Sequence, residues 1–310
     1  MMGWTDRHFR YLFRLMSRHA RLYTVMVTSN ALIHADPAHF LDFSAEEQPV
    51  ALQLGGNNPQ ELAVCAKMAQ DWGYDEVNLN VGCPSDRVQN GQFGACLMKQ
   101  PELVGECVQA MQQVVDIPVT VKIRIGVDEL DSEEYFNQFV DTVAAAGCEI
   151  FLVHARKAWL QGLSPRQNRT VPPLKYDIVQ RLKQRRDDLT IVINGGIRDL
   201  EATQQHLQQV DGVMIGRAAY ENPYEFAALD QALFGECAEP LSRIDLVRAY
   251  LPYIQQQIAQ DVPLKVMSRH LLHIFNKQTG AKGWRRFLSN YAHKQGAGPQ
   301  VVEHALKCVV

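Results

Sequence analysis

The stretch Val77-Asn78-Leu79-Asn80-Val81-Gly82-Cys83-Pro84 joins an apolar run, with asparagines interleaved, to a tight turn. Valine and leucine at this spacing suit an extended strand, and Gly-Cys-Pro ends it. A cysteine on a turn at the carboxyl end of a strand is held out over a pocket rather than packed in a core. On either side the pattern repeats. Helical periodicity over 59–72 and 101–115 separates this strand from apolar runs at 50–54 and 119–125.

Further runs at 22–28, 150–154, 190–194 and 212–215 alternate with helical patterns at 5–19, 132–146, 174–186 and 200–209. The strands are short, rich in Val and Ile, and nearly continuous in hydrophobicity, as parallel strands covered on both faces must be. Strand then helix, repeated, means a parallel sheet. Seven strands are visible, and the chain begins directly with the helix that ought to follow another one. Eight staves close a barrel. The expectation is therefore an α/β fold, a (β/α)8 TIM barrel over residues 1–238 whose first strand is missing, followed by a small all-helical domain over 239–310.

In such barrels the reacting groups sit at the carboxyl ends of the strands. Those ends read Gln53, then Asn80 and Cys83, Lys122 and Arg124, His154 and Arg156, Asn194-Gly195-Gly196, and Gly216-Arg217. One polar residue in an apolar strand can be a satisfied core group. Polar residues at strand end after strand end point to a site. The turns Asn194-Gly195-Gly196 and Gly216-Arg217 follow the last two strands, where barrels commonly bind a phosphate with backbone N–H groups. Glycine lets the main chain come close, and Arg217 adds a charge-assisted bond.

The chain has 310 residues, no apolar run that approaches the length of a membrane span, and no visible secretory signal, since Arg7, His8, Arg10, Arg14, Arg18 and His19 interrupt its start. Its seven cysteines are scattered and free of Cys-x-x-Cys pairs. That argues against a disulfide framework or a metal site and for a reducing, cytoplasmic setting. Charge is unevenly distributed. From residue 241 onward ten basic side chains face three acidic ones, whereas the remainder of the chain is acidic. A basic segment on an acidic body is the electrostatic footprint of polyanion binding, although a solvated helical face has the same composition.

With Gln89-Asn90-Gly91-Gln92-Phe93-Gly94-Ala95-Cys96, the Cys83 turn resembles the active-site loop of the tRNA-dihydrouridine synthases. The runs Gly3-Trp4-Thr5-Asp6-Arg7, Ala51-Leu52-Gln53-Leu54-Gly55-Gly56, Val121-Lys122-Ile123-Arg124-Ile125-Gly126, His154-Ala155-Arg156-Lys157-Ala158-Trp159, Asn194-Gly195-Gly196 and Gly212-Val213-Met214-Ile215-Gly216-Arg217 extend that resemblance over nearly the whole chain. The insertion from Ala158-Trp159-Leu160-Gln161-Gly162-Leu163-Ser164-Pro165 through Asn168-Arg169 is similar to the subfamily acting on D-loop uridines 20 and 20a.

The resemblance implies an FMN enzyme, reduced by NADPH, that saturates the C5–C6 bond of a tRNA uridine. FMN rather than a dinucleotide also suits the absence of a Gly-x-Gly-x-x-Gly turn between strand and helix. By the same resemblance Gln53, Lys122, His154, Asn194, Gly195, Gly196, Gly216 and Arg217 hold FMN, and Cys83 carries the chemistry. Uracil C6 is electrophilic because C5–C6 is conjugated to the C4 carbonyl, so hydride goes to C6 and a proton must reach C5 from the opposite face. A thiol has an ordinary pKa near 8.5 and is mostly protonated at neutral pH, so Cys83 is read as a general acid rather than a nucleophile.

Asn80 is read as an anchor for the uridine. Lys282, Arg285 and Arg286 in the basic helices, and Arg166 and Arg169 in the insertion, are read as tRNA contacts, with the uridine turned out of its stack into the barrel mouth. Family members begin with a strand that ends in Ala-Pro-Met, so Met1 and Met2 are the expected remnant of a flavin contact, and without that strand the barrel is expected to be less stable. A monomer is expected. A small-molecule flavin barrel of the dihydropyrimidine or dihydroorotate dehydrogenase kind shares the fold, cofactor and thiol, but has no need of a basic helical appendage. A non-catalytic RNA-binding barrel has no need of Cys83, Lys122 and His154.

Overall fold

The computed structural model describes residue 1 and residues 3–309, with Arg87 described by its backbone alone. Among the described residues eight short strands form one all-parallel sheet: β1 (Leu22–Tyr23), β2 (Val27–Thr28), β3 (Val50–Gly55), β4 (Glu76–Asn80), β5 (Val119–Arg124), β6 (Ile150–His154), β7 (Thr190–Asn194) and β8 (Gly212–Met214). The order is β1-β3-β4-β5-β6-β7-β8, with β2 also paired to β3. β3, β4 and β5 are buried along nearly their whole length, which explains why apolar residues lie on both of their faces.

The strand expected over 22–28 is two pieces of one stave. Leu22 lies opposite Val50, but Val27 lies opposite Leu54, so the first stave holds one residue more than its partner between those points. This is a bulge. The Thr24 hydroxyl repairs the ladder by accepting from the Gln53 N–H at 3.0 Å. The run Thr24-Val25-Met26 is as apolar as its flanks, so no sequence signal marks the break. Among the described residues β8 pairs only with β7, and β1 and β2 only with β3. The sheet therefore curls as a TIM barrel does but stays open by one stave.

Side-chain caps start the helices where the alternation required them. Asn58 accepts from Gln60 and Glu61 ahead of Pro59–Trp72, and Ser132 caps Glu133–Ala145. Asp199 caps Leu200–Leu207, and Ser242 caps Arg243–Ile258. Two expected helices are shorter than their periodicity. The one at 5–19 is Arg7–Arg14, capped by Asp6, and the one at 174–186 is Tyr176–Arg185. In the carboxyl-terminal segment, Leu264–Ser268 is followed directly by a 3-10 turn, Arg269–Leu271.

One apolar core fills the sheet and the helices packed on it, including Leu52, Leu79, Val121, Phe136, Phe139 and Val153. A second core joins the carboxyl-terminal helices, through Tyr250, Tyr253, Ile254 and Trp284, to Phe9, Leu12 and Phe13 of the first helix and Phe226. The first helix is thus the hinge piece that fastens the helical segment to the sheet. Its His8 Nδ1 lies 2.8 Å from the Tyr253 hydroxyl, and Tyr250 donates to the His8 carbonyl at 2.9 Å. Among the described residues no helix is long and apolar enough to cross a membrane.

Candidate active site

A cavity of about 1810 Å³ opens at the carboxyl ends of the strands and runs down the unclosed side of the sheet. Gln53, Asn80, Cys83, Lys122, His154, Asn194, Gly195, Gly196, Gly216 and Arg217 all line it. Residues more than 160 positions apart in sequence are thereby brought to one chamber. Asn276, Lys277 and Arg285 of the helical segment line the same chamber, so its wall is built from both parts of the chain.

Five hydrogen bonds fix the backbone around Cys83. Asn80 Oδ1 accepts from the amides of Gly82 at 3.1 Å and Cys83 at 3.0 Å, an Asx turn that swings the thiol off the strand end. The Cys83 carbonyl accepts from the Ala95 amide at 2.9 Å. Gly94 makes that approach possible: its φ is +63°, and a Cβ there would lie 2.6 Å from the Cys83 carbonyl oxygen. Arg124 Nε donates to the Gly82 carbonyl at 3.0 Å, and Gln89 Nε2 to the Pro84 carbonyl at 2.9 Å. The thiol, half-buried, lies 3.5 Å from the Ser85 hydroxyl.

Beneath the turn a chain of hydrogen bonds descends the barrel interior. Asn80 Nδ2 donates to Gln53 Oε1 at 2.8 Å, Gln53 Nε2 to Asn78 Oδ1 at 2.9 Å, and Asn78 Nδ2 to the Thr120 hydroxyl at 2.8 Å. Thr120 donates to Glu76 Oε1 at 2.6 Å. Every donor points down the chain toward that carboxylate, which Arg21 and Tyr23 also hold, at 2.6 and 2.8 Å. A charged acceptor at the foot fixes which end of each carboxamide faces up. The buried asparagine at position 78 is thus a link between Gln53 and Glu76. Asn80, read from the sequence as a uridine anchor, has its oxygen committed to shaping the Cys83 turn.

The chamber is strongly positive. Lys122 Nζ donates to Asn194 Oδ1 at 3.2 Å, the only partner it has among the described residues, and Asn194 is held in turn by its own bond to the Met214 carbonyl at 2.7 Å. Burial, with Arg124 nearby, pushes the Lys122 ammonium down to about 8. Burial likewise lowers Arg124, to about 10. His154 is held well below the usual imidazole range by burial and by the charges of Arg124, Lys122, Arg156 and Arg217, so it is neutral at pH 7. Arg169 is lowered by burial and by Arg217. Such a set waits for an anion.

The glycine turns do more than admit a phosphate. Gly195 has φ +116°, and a Cβ there would lie 2.6 Å from His154 Cδ2. Its first duty is to let His154 lie flat against the chain. At Gly216, by contrast, a Cβ would meet only Met1 Sδ, at 3.7 Å, so the wall there is open backbone beside Arg217. Met1 lines the chamber; Met2 lies outside the described residues.

The expected polyanion contacts divide. Arg169 lines the chamber, with its carbonyl bonded to Arg217 Nη2 at 3.2 Å, while Arg166 is exposed in the insertion. Arg285 reaches the chamber and bonds Asn276 Oδ1 at 3.1 Å. Lys282 and Arg286 are exposed on the outer face of the same helix, Ala281–Tyr291. The sequence reading missed Gln89, Asn168 and Lys277. Gln89 and Asn168 sit in stretches with no periodicity, and only their carboxamides in glycine-containing loops could have drawn notice.

Residues 1–309 match the family model described as dihydrouridine synthase. It is 58% identical to a tRNA-dihydrouridine(20/20a) synthase of Shewanella oneidensis over 309 residues, covering 100% of this chain and 92% of that protein. A protein of the same description from Synechocystis sp. is 56% identical over 99% of this chain and 92% of its own length. One from Escherichia coli K12 is 55% identical over 100% of this chain and 90% of its own length.

Proposed function

The chain belongs to the dihydrouridine synthase family, and from that premise we propose that it reduces the C5–C6 bond of uridine 20, 20a or both in the D-loop of tRNA, using FMN recharged by NADPH. The single observation that carries the reading is the chamber itself. A thiol on a rigid turn faces a cavity whose wall holds a lone ammonium, a neutral histidine and open glycine backbone.

Those residues fit FMN. Lys122 has donors left over for the electron-rich edge of an isoalloxazine ring, Gln53 lines the cavity as a carboxamide of fixed orientation, and neutral His154 can donate one N–H. The backbone at Gly195, Gly196 and Gly216, with Arg217, suits the phosphate. When bound and reduced, the flavin supplies a hydride for C6 of the uracil ring.

The protein's own part is then to hold the ring and deliver a proton. Cys83 Sγ–H gives its proton to C5 as negative charge develops there, leaving a thiolate that the cations of Lys122 and Arg124 stabilise. Ser85, 3.5 Å from the sulfur, is placed to help return the proton. Asn80 keeps one Nδ2 hydrogen for the uridine, while its oxygen holds the turn.

A folded tRNA suits the outer surface. Arg169 and Arg285 on the chamber wall, with Arg166 exposed on the insertion and Lys282 and Arg286 exposed on the helical segment, serve as phosphate contacts. Such a substrate places the enzyme in the cytoplasm. The test is mass spectrometry of tRNA from cells lacking this protein. Loss of two mass units at position 20 or 20a, restored by the parent gene and not by Cys83→Ala, is expected. Unchanged D-loop uridines would overturn the reading.

A further inference from the structure

Two of the five bonds that fix Cys83 come from side chains whose remaining donors reach the insertion. Arg124 holds the Gly82 carbonyl with Nε, while its Nη1 donates to the carbonyls of Asn168 at 2.9 Å and Lys157 at 3.1 Å. Gln89 Nε2 has two hydrogens, and they go to the Pro84 carbonyl at 2.9 Å and the Leu160 carbonyl at 2.7 Å. The residues on either side of the thiol are therefore each tied by one side chain to residues 157–168.

The insertion is braced to transmit a push. Asn168 is fully buried; its Oδ1 accepts from the Trp159 amide at 2.8 Å, and its Nδ2 donates to the carbonyls of Trp159 at 2.8 Å and Leu163 at 3.1 Å. That carboxamide closes residues 159–168 into a ring. Arg166 lies on the ring, and Arg169 follows it directly.

We propose that Gln89, Arg124 and Asn168 are positioning residues that couple the Cys83 turn to the insertion, so that folded RNA borne on the insertion tightens the placement of the thiol for proton delivery. The proposal rests on the reading of Cys83 as the acid. A purely structural role for these bonds predicts an equal effect on every substrate, whereas the link predicts a larger effect on a substrate large enough to touch the insertion.

The experiment compares single-turnover reoxidation of pre-reduced enzyme by full tRNA and by a short single-stranded oligonucleotide that carries the target uridine. In the parent the tRNA reaction is the faster. Gln89→Leu, at the thiol end, and Asn168→Asp, at the insertion end, should each lower the tRNA-to-oligonucleotide rate ratio by about tenfold, the worth of one lost hydrogen bond. Oligonucleotide rates should fall by a smaller factor than tRNA rates. An unchanged ratio, or an equal fall with both substrates, would overturn the link.

A second measurement needs no variant. Amide hydrogen exchange over residues 82–95 of the parent should slow when it binds a tRNA whose target uridines are replaced by cytidine. Slowing confined to the insertion would refute the coupling. A parent that makes no dihydrouridine from tRNA would instead sink the functional reading on which the link depends.

Discussion

Lys122→Met isolates the cost of keeping a cation in the chamber wall. Burial and Arg124 lower the Lys122 ammonium from 10.5 to about 8. Holding it charged at pH 7 in flavin-free protein therefore costs about 3 kcal/mol at most. Methionine has a similar length and no charge, and replacing an unpaired buried ion by an apolar side chain is often stabilising. Against this stands the lost bond to Asn194, worth about 1 kcal/mol. The flavin-free variant should thus exceed the parent by about 1–2 kcal/mol at pH 7. The sign of the pH dependence follows from the lowered value. Below pH 8 both folded and unfolded lysine are protonated and the penalty is full. Between pH 8 and 10.5 the unfolded chain binds more protons, so the parent's stability climbs relative to the variant's. Urea denaturation at pH 7 and pH 10, followed by tryptophan fluorescence, reads both effects. In the same variant FMN should bind about 10- to 100-fold more weakly, the range for a hydrogen bond to a charged group. A variant no more stable than the parent at pH 7, or an advantage that persists unchanged at pH 10, would refute the reasoning.

Cys83→Ala should keep FMN and tRNA binding and reduction of the flavin by NADPH, yet nearly abolish dihydrouridine formation; stopped-flow absorbance and tRNA mass spectrometry separate the two half-reactions, and turnover near the parent rate would remove the general-acid role. Reversing Lys282, Arg285 and Arg286 to Glu should lower the slope of log binding constant against log salt by about three, one for each lost phosphate contact; an unaltered slope would return those residues to a solvated helix face. Gly195→Ala should cost about 1–3 kcal/mol in thermal unfolding, because its φ of +116° disfavours a side chain and the new Cβ would lie 2.6 Å from His154; a melting temperature equal to the parent's would show that His154 can move aside freely.

The residues that announce themselves in this sequence are those that break a pattern. Gln53, Lys122, His154 and Asn194 stand out because each interrupts a run of Val, Ile and Leu at the same point of successive strands, and the structure places all four on one cavity. The curled parallel sheet was legible for the same reason, since burial on both faces leaves a strand with no polar side to disguise it. The bulge after Tyr23 was not legible, because an extra residue in an apolar strand changes the register without changing the pattern. Nor were Gln89, Arg124 and Asn168 legible as a set. Their bonds join positions as far as 71 residues apart, and a carboxamide or guanidinium in an aperiodic loop carries no local mark of its partner. Glu76 makes the contrast sharper. It begins the strand one residue ahead of the apolar run that marks it, and so drew no notice; that it orients Gln53 and Asn80 through Thr120 and Asn78 requires the three-dimensional chain of donors. Chemistry that needs a cavity leaves its trace in composition, strand by strand. The bonds that aim such chemistry run between strands and loops, and only the folded arrangement reveals which groups they join.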